Sequence, residues 1–351
     1  MTKSCDLPRG AHLVGSVALS SPRQLFRQAG AMLGARLKRV PDGEPGGRSL
    51  WISWQYPTLR ASPFLKVDPA APANPASGFR KLTLADGVSA DEVRFAELGY
   101  AREARASYVD FRRARDAGEL SPATRFQVCL PTPFACVFPF VTPEALGAVE
   151  PAYERAMRAE LAMLFEEIPH ADLALQWDVC IEMVIWDGRS SFYVPAWTRS
   201  REEEILSRMA RICASVPEDV ELGFHLCYGD WDAKHFIEPL DSGKMVELAN
   251  ALRTAVRHSI AYLHLPVPLA RSDDAFFRPL DRLALEPHTE IYLGLLHPAD
   301  GPEGAQRRVA AARNHLPNFG VATECGLGRC KTPENVSQIL KLYADSSVPL
   351  D

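Results

Sequence analysis

The stretch Glu221-Leu-Gly-Phe-His-Leu-Cys-Tyr-Gly-Asp230 is an apolar run that ends in two metal-competent side chains, His225 and Cys227. Read as a strand, it alternates faces residue by residue, so the imidazole and the thiol point the same way. Further on, Asn318-Phe-Gly-Val-Ala-Thr-Glu-Cys-Gly-Leu327 repeats the plan, with Cys325 at the tip of a short apolar strand. Two sulfurs and one nitrogen at strand tips suit a borderline-soft ion such as zinc. The same pattern also fits ordinary packing, because a buried free cysteine behaves as a small hydrophobe.

Working outward, strand patterns recur at residues 11–18, Leu37–Pro41, Thr124–Leu130, Asp172–Asp178, Glu221–Cys227, Ile260–Leu265, Glu290–Leu296 and Phe319–Cys325. Helical periodicity falls between them: from Ser21 to about Leu37, then 90–117, Pro143–Ile168, Arg199–Val216, Ser242–Arg257, 303–315 and 333–345. Eight strands alternating with helices predict an α/β chain built as a (β/α)8 TIM barrel, with a doubly wound open sheet as the alternative. One barrel domain is expected to occupy residues 1–351, with a long Pro-, Ala- and Ser-rich insertion near 56–90. Trp51 and Trp54 suggest a helix over Arg48–Gln55. The prolines of Pro131–Phe140 predict an irregular loop packed over something apolar.

Composition narrows the function. Apolar residues make up 47% and charged residues 24% of 351 residues, an ordinary globular balance. A formal net charge of -5 argues against nucleic-acid binding. No apolar run is long enough for a membrane span, and the N-terminus lacks the apolar segment of a signal peptide. Eight cysteines are too sparse for a disulfide framework in a chain of this length, which predicts a reducing, cytoplasmic setting.

In such barrels the chemistry sits at the C-terminal strand ends. Those ends hold Ser16, Glu44, Asp178, His225, Cys227, His264, His297, Glu324 and Cys325. Each also has a plain structural use: Ser16 as a turn cap, Glu44 as a partner of Arg48, Asp178 as a helix cap, and the histidines as core side chains. The chain resembles the catalytic barrel of cobalamin-independent methionine synthase, within the superfamily that includes uroporphyrinogen decarboxylase. Val14-Gly15-Ser16, Asp42-Gly43-Glu44-Pro45 with Arg48, Leu175-Gln176-Trp177-Asp178, His225-Leu-Cys227, Leu295-Leu-His297-Pro and Thr323-Glu-Cys325-Gly-Leu327 resemble its motifs in order.

The resemblance implies Zn2+ held by His225, Cys227 and Cys325, which would deprotonate an acceptor thiol and make it a nucleophile. It implies that Ser16, Glu44 and Asp178 hold the amino-acid part of a homocysteine-like thiol, and that His297 handles protons beside the transferred group. The partners implied are a small-molecule thiol and a methyl or alkyl donor. Two departures stand out. The strand after His-x-Cys, Ile260–Pro268, carries no acidic residue where the family places a further zinc ligand, which leaves His264 as the candidate there or a site with three protein ligands. The folate-facing segment of the family has no copy, and Phe134, Phe138, Phe140 and Trp177 suggest a more apolar partner. A zinc-dependent thiol-alkyl lyase or ring-opening enzyme, a metal-free decarboxylase and a non-catalytic binding barrel remain as alternatives.

Overall fold

A computed structural model describes residues 7–74, 78–192, 195–229, 234–328 and 332–350. Cys5, Asp230 and Cys330 lie outside these residues. The strands are β1 (Ala11–His12), β2 (Arg39–Pro41), β3 (Leu65–Val67), β4 (Leu82–Leu84), β5 (Arg125–Pro131), β6 (Leu173–Val179), β7 (Glu221–Leu226), β8 (Ile260–Pro266), β9 (Glu290–Leu296) and β10 (Gly320–Thr323). The helices are α1 (Pro22–Leu33), α2 (Tyr56–Ala61), α3 (Tyr100–Asp116), α4 (Pro133–Val137), α5 (Pro143–Glu167), α6 (Ile181–Asp187), α7 (Arg201–Cys213), α8 (Gly243–Ala255), α9 (Asp274–Phe277), α10 (Gly301–Arg313) and α11 (Pro333–Asp345).

Eight parallel strands run in the order β1-β10-β9-β8-β7-β6-β5-β2. A parallel bridge between Ala11 and Leu37 brings the two outer strands together, so the sheet curls into the expected (β/α)8 barrel. The amphipathic helices between successive strands cover its outer face, and one apolar cluster joins the two layers. The remaining pair, β3 and β4, forms an antiparallel ribbon within the insertion, which α2 opens.

The barrel interior is polar and filled from below. Arg39 is 3% exposed and is held by Glu221 (2.5 Å) and Glu290 (2.8 Å), with its guanidinium 4.2 Å from the Tyr262 ring centre. Above it His12 stacks on Tyr292 and pairs with Gln176 (2.9 Å). Such a plug leaves the opposite end, at the strand C-termini, as the place where a ligand can enter.

Local differences from the expected elements have physical causes. The helix expected from residue 90 begins at Tyr100, where the Glu160 carboxylate of α5 accepts the N–H groups of Leu98, Gly99 and Ala101 and so caps α3 from outside. Pro131–Phe140 is not an open loop. Thr132 accepts the Ala135 N–H and Pro133 takes the first helical position, so α4 forms there. The expected Arg48–Gln55 helix is two 3-10 turns, Gly46–Leu50 and Ser53–Gln55, broken at Trp51, whose φ is 52°. The residue 11–18 stretch is a regular strand only at Ala11 and His12, with one further parallel bridge from Val17 to Leu327.

Candidate active site and metal centre

The end of β7 and the end of β10 meet at the open mouth. His225, 2% exposed, is the fifth residue of β7, and Cys227 follows the strand's last residue. The Cys227 N–H donates to the Val179 carbonyl (3.0 Å), which extends the parallel pairing and fixes the thiol above the barrel. Cys325 lies two residues past β10. Its Sγ is 3.9 Å from Cys227 Sγ and 3.7 Å from His225 Nε2, and the three ligand atoms lie within 4.8 Å of one another. Ligands bound 2.0–2.3 Å from one tetrahedral zinc would stand roughly 3.3–3.8 Å apart, so this donor set fits the ion with little movement.

Next to this cluster, His264 does not join it. Its Nε2 donates to the Thr323 carbonyl (3.0 Å), and its Nδ1 lies 2.7 Å from His225 Nδ1. The Thr323 carbonyl can only accept, so His264 carries its proton on Nε2 and accepts on Nδ1. His225 must then be protonated on Nδ1, which leaves a bare Nε2 lone pair facing Cys325. Burial lowers the pKa of both rings, that of His264 to about 3, and keeps them neutral. The expectation of His264 as a metal ligand is therefore corrected: it stands behind His225 with both nitrogens engaged, and sets its tautomer.

Over the cluster opens a cavity of about 1240 Å³. Its polar floor comprises Ser16, Glu44, Asp178, His225, Cys227 and Cys325. The carboxyl of Asp178 is pushed up to about 7 by burial, against the hydrogen bond from Gln176 (2.9 Å) and the opposing pull of the nearby Trp51 side chain. Glu44 sits at φ 52°, and Trp51 is the other non-glycine residue with positive φ among the described residues. Both line the cavity, so the strained backbone is concentrated at this site. The Glu44 N–H donates to Asp42 (2.9 Å), and Arg48 pairs with Asp42 (2.7 Å). Ser16 packs against Gly326 and Gly328, where an added Cβ would lie 2.4 Å and 2.7 Å from its hydroxyl. Only glycine allows β10's following loop to approach the serine so closely.

His297 is near the site but outside the cavity wall. Its Nε2 donates to the Val267 carbonyl (2.8 Å), and its Nδ1 is 3.9 Å from the Glu324 carboxylate. Glu324 in turn is 3.1 Å from His235 Nε2. Burial opposes a charge on His235, but Glu324 and Glu238 outweigh it and raise its pKa to about 8. Two further sequence expectations are corrected. Trp177 is fully buried and faces away from the cavity, because Gln176 and Asp178 take the inward positions of β6. Phe134 is also buried, packed on Phe138 and Trp197 rather than on the cavity.

Two residues that sequence reasoning missed belong to this region. Cys180 lines the cavity, and its thiol helps push the pKa of Cys227 up. The alternation Gln176, Asp178, Cys180 was the available signal. His235 lies in a segment without periodicity, and nothing in the sequence marks it.

Similar architecture occurs in solved structures at low identity. A candidate vitamin-B12 independent methionine synthase from Listeria monocytogenes superposes with TM-score 0.57 at 13% identity, covering 97% of this chain and 96% of that one. The homocysteine methyltransferase MmuM from Escherichia coli, in its apo form, gives TM-score 0.43 at 13% identity over 97% and 96% of the two chains. No protein-family model matches the sequence, and no curated protein does. The likeness to the Listeria protein establishes a common fold.

Proposed function

We propose that this chain, acting as one barrel unit over residues 1–351, is a zinc-dependent, cobalamin-independent transferase that moves a methyl or other alkyl group onto a small-molecule thiol. The observation that carries this reading is the convergence of His225 Nε2, Cys227 Sγ and Cys325 Sγ at the floor of a large cavity. The Listeria protein of the same fold is named for methionine synthesis, which agrees with a thiol acceptor. When bound, zinc supplies a Lewis acid that lowers the pKa of an acceptor thiol and makes it a nucleophile near neutral pH.

The chain's own residues do the rest. Glu44 and Asp178 offer two carboxylates to an ammonium group, and Ser16 offers a hydroxyl beside them. Together they would orient an amino-acid thiol such as homocysteine with its sulfur toward the cysteines. His297, backed by Glu324 and His235, would take up the proton released at the mouth. The new sulfur–carbon bond forms as the donor's bond to that carbon breaks, and the electron pair leaves with the donor.

The reading is tested by the metal content of natively purified protein beside a Cys227→Ser variant. About one zinc per chain, lost in the variant, is expected. Metal absent from both, with a folded wild type indifferent to added zinc, would sink the reading. A panel pairing thiols with methyl donors and with epoxides separates transfer from a thiol-alkyl lyase or ring-opening reaction on the same residues.

A further inference from the structure

The cavity is too large for a thiol alone. Its volume of about 1240 Å³ exceeds the roughly 300–1,000 Å³ that ordinary ligand pockets occupy. Above the polar floor its lining changes character and becomes aromatic: Trp51, Phe79, Phe138, Phe140, Phe192 and Phe236. Three of these rings form a continuous wall that starts beside the cysteines. The Gly229 N–H donates to Cys227 Sγ (3.3 Å), and a Cβ on Gly229 would lie 2.3 Å from the Phe236 ring. From Phe236 the wall passes to Phe192 (5.1 Å between centroids) and on to Phe138 (6.2 Å). On another side, Phe79 stacks on Tyr56 at 4.2 Å and meets Phe140 at 5.8 Å, so the insertion itself contributes to the seat.

The wall ends at a cation. Lys81 lines the cavity with its Nζ 5.9 Å from the Phe138 ring centre, and that ammonium donates to the Val141 carbonyl at 3.2 Å. Among the described residues no carboxylate forms a salt bridge with it. Burial lowers its pKa, and Glu144 acts on it only through longer-range attraction. A half-buried ammonium at the end of an apolar wall is poorly compensated by protein alone, and an anion placed there would complete it. The neighbouring Arg80 also lines the cavity but is more exposed than Lys81.

We propose that this aromatic half is the seat of the alkyl donor, and that the donor is a flat, elongated aromatic molecule with one anionic group that meets Lys81. The flat body lies along Phe236, Phe192 and Phe138, with its transferable alkyl group at the end nearest Cys227 and Cys325. As the acceptor sulfur bonds to that carbon, the donor atom that held it keeps the electron pair, and the thiol proton taken up by His297 is what neutralises it. Among the described residues Lys81 and the more exposed Arg80 are the cations lining this cavity, and Lys81 is the one set against the aromatic wall, where an anionic group of the donor would meet it. This assignment rests on the transferase reading for what the occupant does, while the seat itself can be tested without turnover.

The probes are 1-anilinonaphthalene-8-sulfonate and its uncharged counterpart N-phenyl-1-naphthylamine, titrated by fluorescence into the full chain. They share the flat body and differ by the anion. Wild type is expected to bind each at one per chain, the sulfonate about tenfold more tightly, as a charge-assisted contact implies. Lys81→Met should erase that tenfold difference and leave the neutral probe's affinity unchanged, and Lys81→Arg should restore it. Phe192→Ala should weaken both probes together. Equal affinity of the two probes for wild type, or a ratio that survives Lys81→Met in a variant with native circular dichroism, would overturn the proposal. The same titrations in a Cys227→Ser, Cys325→Ser double variant separate the two readings: the pattern there without zinc leaves the seat standing, and bound zinc in wild type without the pattern removes the seat alone.

Discussion

The Nδ1 atoms of His225 and His264 stand 2.7 Å apart, and only one of them carries a proton. The Thr323 carbonyl decides which, because it claims the Nε2 proton of His264 at 3.0 Å. A backbone oxygen on β10 thus fixes the free lone pair of a histidine on β7. That lone pair faces Cys325, whose own position depends on the same turn of chain.

Removing this relay should weaken metal binding without removing a ligand. His264→Leu is expected to lower zinc affinity by about 10–100-fold, measured by competition with a chromophoric chelator. His264→Gln, whose amide oxygen can accept from His225 Nδ1, should lose less. Equal affinity in wild type and His264→Leu would show that the tautomer is set elsewhere.

Asp178 gives the acceptor site a pH dependence. Its pKa of about 7 means that the carboxylate is largely protonated below neutrality. Binding of homocysteine through its ammonium should therefore weaken about tenfold for each pH unit below 7 and level off above it. Asp178→Asn should bind weakly at all pH values, with zinc content unchanged. Isothermal titration between pH 5.5 and 8.5 checks both.

Glu182 gives the fold a separate one. It is fully buried at the start of α6, with one oxygen accepting from Thr132 and the other without a partner among the described residues. Burial raises its pKa from 4.5 to about 7. A raised acid favours the folded state below its unfolded pKa, and that contribution is lost as pH rises through about 7. Glu182→Gln should thus gain on wild type as pH rises from 5 to 8.5, by about 3 kcal/mol at most. Urea midpoints at the two pH values give the difference.

The Cys227 and Cys325 sulfurs lie 3.9 Å apart, close enough for a disulfide to be expected in metal-free protein under oxidation. Chelated protein treated with diamide is expected to form a Cys227–Cys325 disulfide, seen by peptide mass mapping, and prior loading with zinc should suppress it. Oxidation unaffected by zinc would mean that the metal binds elsewhere.

Much of this is legible in the sequence. The period-two strands with polar tips place His225, Cys227 and Cys325 on a shared rim, and the barrel follows from their alternation with helices. What failed has specific causes. Trp177 reads as a cavity residue by its neighbourhood to Asp178, yet adjacent strand residues face opposite ways. His264 reads as a ligand by type, but its role depends on a carbonyl 59 residues away in sequence. Phe192, Phe236 and Lys81 carry no local pattern. They meet only because the insertion and two loops converge over the mouth.

The plug built on Arg39 has a kinetic consequence. With the lower end of the barrel filled by Arg39, Glu221, Glu290 and Tyr262, the cavity over Cys227 and Cys325 opens at the upper end among the described residues. A thiol seated on the floor lies beneath the aromatic seat, so a molecule in the upper place bars both its arrival and its departure. If the proposed seats hold, traffic through the barrel is expected to be sequential, with the acceptor first in and its product last out. Excess donor should accordingly act as a substrate inhibitor by trapping the empty floor.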